Sequence, residues 1–290
     1  MPALVSIVTP CFNAEQFLEE TLASVLAQTY PHWEVLLVDD GSRDRTAEMA
    51  ARWASRHSER ARLLRHEDGR NRGTSESRNL GIRHARGEYL AFLDADDIWL
   101  PGHLGMQLDL LERHPNVGLV YGPTEEWYGW TGQAADEARN HIPELKVPTD
   151  QVLSPPGPLA AFVRRDAPTP CTCSVVVRRS AAQAVGGFEP IFTGMYDDQV
   201  LYAKLCLSAP VLASPTCSSR YRRHRDSLYS RAKTTGQSVP DRRAFLLWLD
   251  GYLSAQSRAT AELERVVARE LYAAHHPRLA RFLSRFSRGA

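Results

Sequence analysis

Short β-branched runs alternate with amphipathic helical stretches through the first hundred or so residues, and this alternation restricts the fold more than any other feature of the chain. Val5 to Thr9, Glu34 to Asp39, Ala61 to Arg65 and Tyr89 to Leu93 read as strands. Between them lie helical patterns, from about Ala14 to Gln28, from Asp44 or Thr46 to Arg56, and from Ser75 to Arg86. In the first helix Phe17, Leu18, Thr21, Leu22, Val25 and Leu26 recur on one face. Strands joined through helices pair in parallel, because a tight turn cannot lead a chain to a parallel partner. The expectation is an α/β fold, a Rossmann-like, mostly parallel sheet flanked by helices. With 290 residues, 43% of them hydrophobic, the chain can bury one large core and carry a small appendage.

Charge and cysteine usage narrow the functional classes. The 35 basic and 34 acidic residues leave a net charge of +1, so no global field favours nucleic acid. The five cysteines are odd in number and sit mostly among apolar or small residues, which suits buried thiols in a cytoplasmic protein. Cys171-Thr172-Cys173 reads as alternate residues of one strand. With no CxxC spacing and no neighbouring histidine, packed thiols are favoured over half of a metal site. The amino terminus lacks a charged leader, and no apolar run reaches the ~18 residues of a spanning helix.

The stretch AFLDADDIWLP at 91–101 gathers Asp94, Asp96 and Asp97 at the carboxyl end of the fourth strand. Ligands of open parallel sheets bind outside the carboxyl ends of the strands. Two carboxylates one residue apart can share a cation, and hard oxygen ligands suit Mg²⁺ or Mn²⁺. A solvated turn capping a helix before Pro101 is the plain alternative. A phosphatase, with Asp94 as nucleophile and Asp96 as acid, also fits the spacing. An EF-hand does not, since Trp99 stands where that loop needs glycine. Asp39-Asp40-Gly41-Ser42 ends the second strand, where a carboxylate can accept from the N–H groups of a base or simply cap the next helix. Between Pro123 and Pro170 regular periodicity lapses. Trp127 and Trp130 there are candidates for stacking on an acceptor sugar.

Five ordered blocks carry a resemblance: residues 5–46, SRNLGIRHARGEYLAFLDADDIWLP at 77–101, VGGFEP at 185–190, YDDQVLYAKL at 196–205 and YRRHRDSL at 221–228. Over about Leu4 to Tyr229 the chain resembles the family 2 glycosyltransferases, inverting nucleotide-sugar enzymes with the GT-A fold. The resemblance implies a catalytic domain at 1–230, with a donor half at 1–122 and an acceptor half at 123–230. After Ser230 the residue pattern itself becomes helical, with Arg242 to Ala255 and Thr260 to His275 as candidate helices of an extension at 231–290. The resemblance further implies that Thr9, Pro10, Asp39 and Asp40 form the nucleoside pocket, that Arg78 and Asn79 approach the base or diphosphate, and that Asp94 and Asp96 are the outer pair of a DxD motif. Asp96 would ligate Mn²⁺ or Mg²⁺ directly, with Asp94 nearer the ribose. His224 would be a third ligand and Arg222 would meet the diphosphate. Asp197 and Asp198 match the family's acidic pair, usually Glu-Asp. Asp198 would be the general base, while the shorter Asp197 leaves the first residue's role open. Gly187 would line the acceptor cleft.

The resulting expectation is metal-dependent, inverting transfer from a nucleoside diphosphate sugar, UDP before others, to a hydroxyl-bearing acceptor. A phosphatase or nucleotidyltransferase built on Asp94 and Asp96, or a binder without turnover, stands as the alternative. In the final segment Leu279, Phe282, Leu283 and Phe286 share one face and four arginines the other. Residues 277–288 could thus lie on the inner face of a membrane, dock on the catalytic domain or join a homodimer.

Overall fold

A computed structural model describes residues 2–255 and 260–276. Strands β1 (Val5–Cys11), β2 (Trp33–Asp39), β3 (Ala61–Arg65) and β4 (Tyr89–Phe92) occupy the four expected places. Helices α1 (Leu18–Leu26), α2 (Thr46–Arg56) and α3 (Thr74–His84) connect them. Helix α1 starts later than the periodicity suggests because the preceding turn is tied to the next loop. The Ala14 N–H donates to Thr46 Oγ1 at 2.7 Å and the Glu15 N–H to Asp44 Oδ2 at 3.1 Å.

The chain continues through β5 (Ile98–Trp99), α4 (His103–Arg113), β6 (Leu119–Tyr121), β7 (Thr124–Trp127), α5 (Ala134–Glu137) and β8 (Val152–Leu153). Then come α6 (Leu159–Arg164), β9 (Val176–Arg178), α7 (Arg179–Ala184), α8 (Asp197–Ser208), β10 (Val211–Ala213) and β11 (Ser219–Arg222). The last elements are α9 (Leu228–Thr235), α10 (Ser238–Ser254) and α11 (Ala261–His275). Eight strands form the main sheet in the order β3-β2-β1-β4-β9-β6-β10-β8. Strands β1, β2, β3 and β4 are parallel, as are β6 and β10, whereas β9 runs against both its neighbours and β8 against β10. Val8 is in register with Leu36 and Phe92, so the carboxyl ends of β1, β2 and β4 emerge on one edge. A small sheet, β5-β11-β7, closes over that edge.

Both faces of the main sheet are covered, as expected where helices connect parallel strands. Alternate strand residues point to opposite sides. Val8, Leu36, Val38, Leu90 and Phe92 join one buried cluster, and Ile7, Val35, Leu37 and Ala91 the other. Helices α10 and α11 enter the first cluster through Phe245, Leu246, Leu249, Leu253, Leu263 and Val267. The Phe245 ring stacks on Tyr196 with centroids 5.2 Å apart, so the terminal helices share the core of the main sheet. The proposed boundary between donor and acceptor halves likewise falls within one continuous sheet.

Two details differ from the sequence reading. Cys171 and Cys173 lie on a 3₁₀ turn (Thr172–Ser174), not on a strand, because the Ser174 N–H and Oγ both donate to the Cys171 carbonyl. Helix α9 begins at Leu228, ahead of the helical extension expected from residue 231. Ser227 begins it, its Oγ accepting the Ser230 N–H at 3.2 Å. The basic amphipathic segment at 277–288 lies outside the described residues. Among the described residues, no helix is long and apolar enough to cross a membrane.

Candidate active site

The shared carboxyl edge of β1 and β4, the start of α8 and the residues after β11 enclose a cavity of about 1150 Å³. Pro10, Asp40, Arg78, Asp94, Asp96, Asp197, Asp198 and His224 line it. Residues far apart in sequence thus meet because parallel strands deliver successive loops to the same edge.

Arg78 is the hub of one side. It sits in the first part of α3, which Asp40 anchors by accepting the N–H groups of Arg72 at 2.6 Å and Gly73 at 3.0 Å. The backbone turns sharply at Gly73, with φ +85°, where a Cβ would press to 3.0 Å from Thr193. Only 2% exposed, Arg78 donates from Nη1 to Asp197 Oδ2 at 2.5 Å and from Nη2 to Asp94 Oδ1 at 2.6 Å. Burial opposes its charge, but Asp94 and Asp197 outweigh that and hold the guanidinium more firmly protonated than usual. The forked cation therefore joins the DxD turn to the start of α8.

Asp198 is the carboxyl in this group without an ion pair among the described residues. Its Oδ1 accepts the Gln199 N–H at 2.7 Å. Burial first, and then the adjacent Asp197 charge, push it up to about 7, with Arg78 pulling in the other direction. Asp197 is also raised, mainly by burial, although Arg78 opposes the shift. A cavity carboxyl poised near neutrality is suited to accept a proton.

The other side is built around Asp96. Its Oδ2 lies 2.9 Å from His224 Nε2. Asp97 turns away into the protein. Its Oδ1 accepts the Arg222 N–H at 2.9 Å, Oδ2 has no partner, and burial, followed by the charge of Asp96, raises it well above the usual carboxylate range.

Arg222 does not reach the cavity, contrary to the expectation that it meets a diphosphate. Its Nε donates to the Asp96 carbonyl at 2.6 Å and Nη2 to Glu20 at 2.7 Å. The rings of Trp127, Phe17 and Trp130 surround the guanidinium carbon at 4.4, 4.9 and 5.5 Å. Trp127 and Trp130, expected on an acceptor, are therefore committed to holding Arg222, which braces the DxD turn from behind. The next residue faces the other way on the extended strand end, and Arg223 lines the cavity, paired with Glu126 at 3.2 Å. Strand alternation was the available signal for Arg223.

Gly187 also has a different placement. Its φ is +67°, and a Cβ would lie 2.5 Å from Asn79 Oδ1. That closeness lets Asn79 bracket the Phe188 backbone, with hydrogen bonds of 2.9 Å to both N–H and carbonyl. Phe188 in turn lies 5.2 Å beneath the Arg78 guanidinium. Gly187 and Asn79 thus support Arg78 and do not line the cavity. Thr9 is fully buried with no partner for its hydroxyl, while the adjacent Pro10 lines the cavity. Asp39 is 6% exposed, accepts the Ser42 N–H at 3.2 Å and faces Arg65 at 3.5 Å.

Residues 6–184, more than half of the chain, match the family described as Glycosyl transferase family 2. The chain belongs to that family. A curated relative in Escherichia coli, UDP-Glc:alpha-D-GlcNAc-diphosphoundecaprenol beta-1,3-glucosyltransferase WfgD, is 38% identical over 122 residues, 42% of this chain and 46% of its own length. Less than half of that relative is therefore represented in the match. Among solved structures, Staphylococcus aureus TarS 1-349 with UDP-GlcNAc superposes with a TM-score of 0.71 at 18% identity, over 96% of this chain and 73% of TarS. The mannosyltransferase PcManGT of Pyrobaculum calidifontis, bound to GDP-Man and Mn²⁺, gives 0.66 at 21% identity, over 93% and 69%. Those structures share the GT-A architecture of this family 2 chain.

Proposed function

We propose that this chain transfers a sugar from a UDP-sugar to an acceptor hydroxyl in a single displacement with inversion. One observation carries the reading: Asp198, a carboxyl near neutral pKa without an ion pair, shares a cavity with the Asp96–His224 pair. In the transfer Asp198 would take the hydroxyl proton on its carboxylate as the oxygen attacks the sugar carbon and the bond to the diphosphate breaks. Arg78 holds Asp197 and Asp94 in place and keeps the carboxylates from repelling one another. Asp40 and Pro10 mark the nucleoside end, with Asp39 and Thr9 behind them.

The donor set at Asp96 suits a divalent cation. A partly exposed carboxylate oxygen beside an imidazole nitrogen matches the ligand chemistry of Mn²⁺, and of Mg²⁺ less well because of the nitrogen. Asp96 and His224 would hold the ion, and Asp94, whose Oδ1 is bound to Arg78, would contribute through its other oxygen. A bound ion would supply Lewis-acid neutralisation of the diphosphate oxygens.

The cavity carries cations besides Arg78, set among the carboxylates of Glu144, Asp166 and Asp226. Lys146, Arg165 and Arg231 line the cavity, and among the described residues none has a carboxylate partner. Together with the diphosphate-linked acceptor named for the Escherichia coli relative, this supports an acceptor that carries phosphate. The test is transfer from UDP-glucose and UDP-GlcNAc, with Mn²⁺, to a prenyl diphosphate-linked sugar or to the same sugar uncharged. The expected result is cation-dependent UDP release with the charged acceptor and an inverted anomeric centre in the product by NMR. Retained configuration, or phosphate ester hydrolysis in place of transfer, would overturn the proposal.

A further inference from the structure

We propose that Asp97, Cys171 and Cys173 form a second cation site, for a thiophilic divalent ion such as Zn²⁺, behind the DxD turn. The 3₁₀ turn brings Cys171 Sγ to 3.3 Å from Cys173 Sγ. One ligand atom from each cysteine and from Asp97 lie within 4.8 Å of one another. Ligands about 2.0–2.3 Å from a tetrahedral zinc ion are themselves about 3.3–3.8 Å apart, so the two sulfurs would open by about half an ångström while the Asp97 oxygen closes in. The third ligand could not be seen in the sequence, because Asp97 reaches the cysteines only through the fold.

An independent observation points to the same place. Asp97 is fully buried and its Oδ2 has no hydrogen-bond partner, although Oδ1 is satisfied by the Arg222 N–H. A buried carboxylate oxygen left without a donor is costly, and a cation satisfies it. The cysteine backbone is already braced. Trp99 Nε1 donates to the Cys173 carbonyl at 2.6 Å and Ser174 Oγ to that of Cys171 at 2.9 Å. Such outer contacts orient ligands. Cys171 is half-buried and lines the large cavity, which gives an ion an entry path and leaves room for water as a fourth ligand. The two sites differ in chemistry: sulfur ligands select soft ions, whereas Asp96 and His224 offer oxygen and nitrogen.

The experiment is Co²⁺ titration of the full chain, read by sulfur-to-cobalt charge-transfer absorption and by displacement with Zn²⁺. One equivalent of Co²⁺ is expected to give that absorption and to be released by Zn²⁺ but not by Mg²⁺. The signal is expected to survive in Asp96→Asn and Cys217→Ser, and to weaken at least ~100-fold in affinity in Cys171→Ser and Cys173→Ala. Circular dichroism checks that each variant folds. Should Cys173→Ala not fold, the half-buried Cys171→Ser decides alone. No sulfur-to-cobalt absorption in the native protein, or absorption unchanged in Cys171→Ser, would overturn the proposal.

Discussion

Asp198→Asn is expected to lower kcat by about 10²–10⁴-fold while leaving UDP binding close to that of the native protein. The carboxamide keeps the shape and the Gln199 hydrogen bond but cannot accept the acceptor proton. The pH profile gives the same assignment a second reading. Burial and the Asp197 charge raise Asp198 to about 7, and the working form is the deprotonated one. Accordingly kcat/KM should fall as pH drops below about 7 and level off above it. Asp197→Asn removes the neighbouring negative charge and leaves more of the Arg78 charge to act on Asp198. The inflection should then move to lower pH. Steady-state rates across the pH range, with calorimetry of UDP on each variant, check both statements. Activity that survives in Asp198→Asn would remove Asp198 from the chemistry.

Arg78→Met is expected to cost about 3–5 kcal/mol of folding stability and to abolish measurable transfer. Methionine fills much of the volume but leaves Asp94, Asp197 and Asp198 facing one another with no cation between them. Arg78→Lys should recover only part of the loss, since one ammonium cannot fork between two carboxylates on different elements. The sign of the pH effect follows from the same cluster. Without the guanidinium the folded-state carboxyls are raised above their unfolded values, so the variant keeps stability at low pH and loses it as pH rises through the raised values. Urea denaturation at acidic and at mildly alkaline pH should therefore show the larger deficit at the higher pH. An equal deficit at both would mean that Arg78 acts through packing on Phe188 and not through charge.

Much of this architecture is legible in the sequence, for a local reason. Strands β1 to β4 and helices α1 to α3 follow from periodicity, and Asp94, Asp96, Asp198 and His224 could be singled out because each sits in a short, recognisable block. What sequence does not carry is the direction a side chain takes after the fold closes. Arg222 and Arg223 look equivalent in YRRHR, yet one is sealed among Phe17, Trp127 and Trp130 and the other lines the cavity. Trp127 and Trp130 suggested sugar stacking because their partner lies in another segment. Gly187 suggested a cleft wall, whereas its missing Cβ makes room for Asn79. The bridge from Arg78 to Asp197 and Asp94 spans three elements, and no spacing rule in one of them reveals it.

The most direct measurement is calorimetric titration of UDP into the native chain and into Asp96→Ala, each with and without Mn²⁺. Micromolar binding that needs both the cation and Asp96 is the result expected of a metal-assisted UDP-sugar site. UDP that binds equally well without Mn²⁺, or equally well to Asp96→Ala, would contradict it, because the Asp96–His224 pair would then have no part in holding the donor.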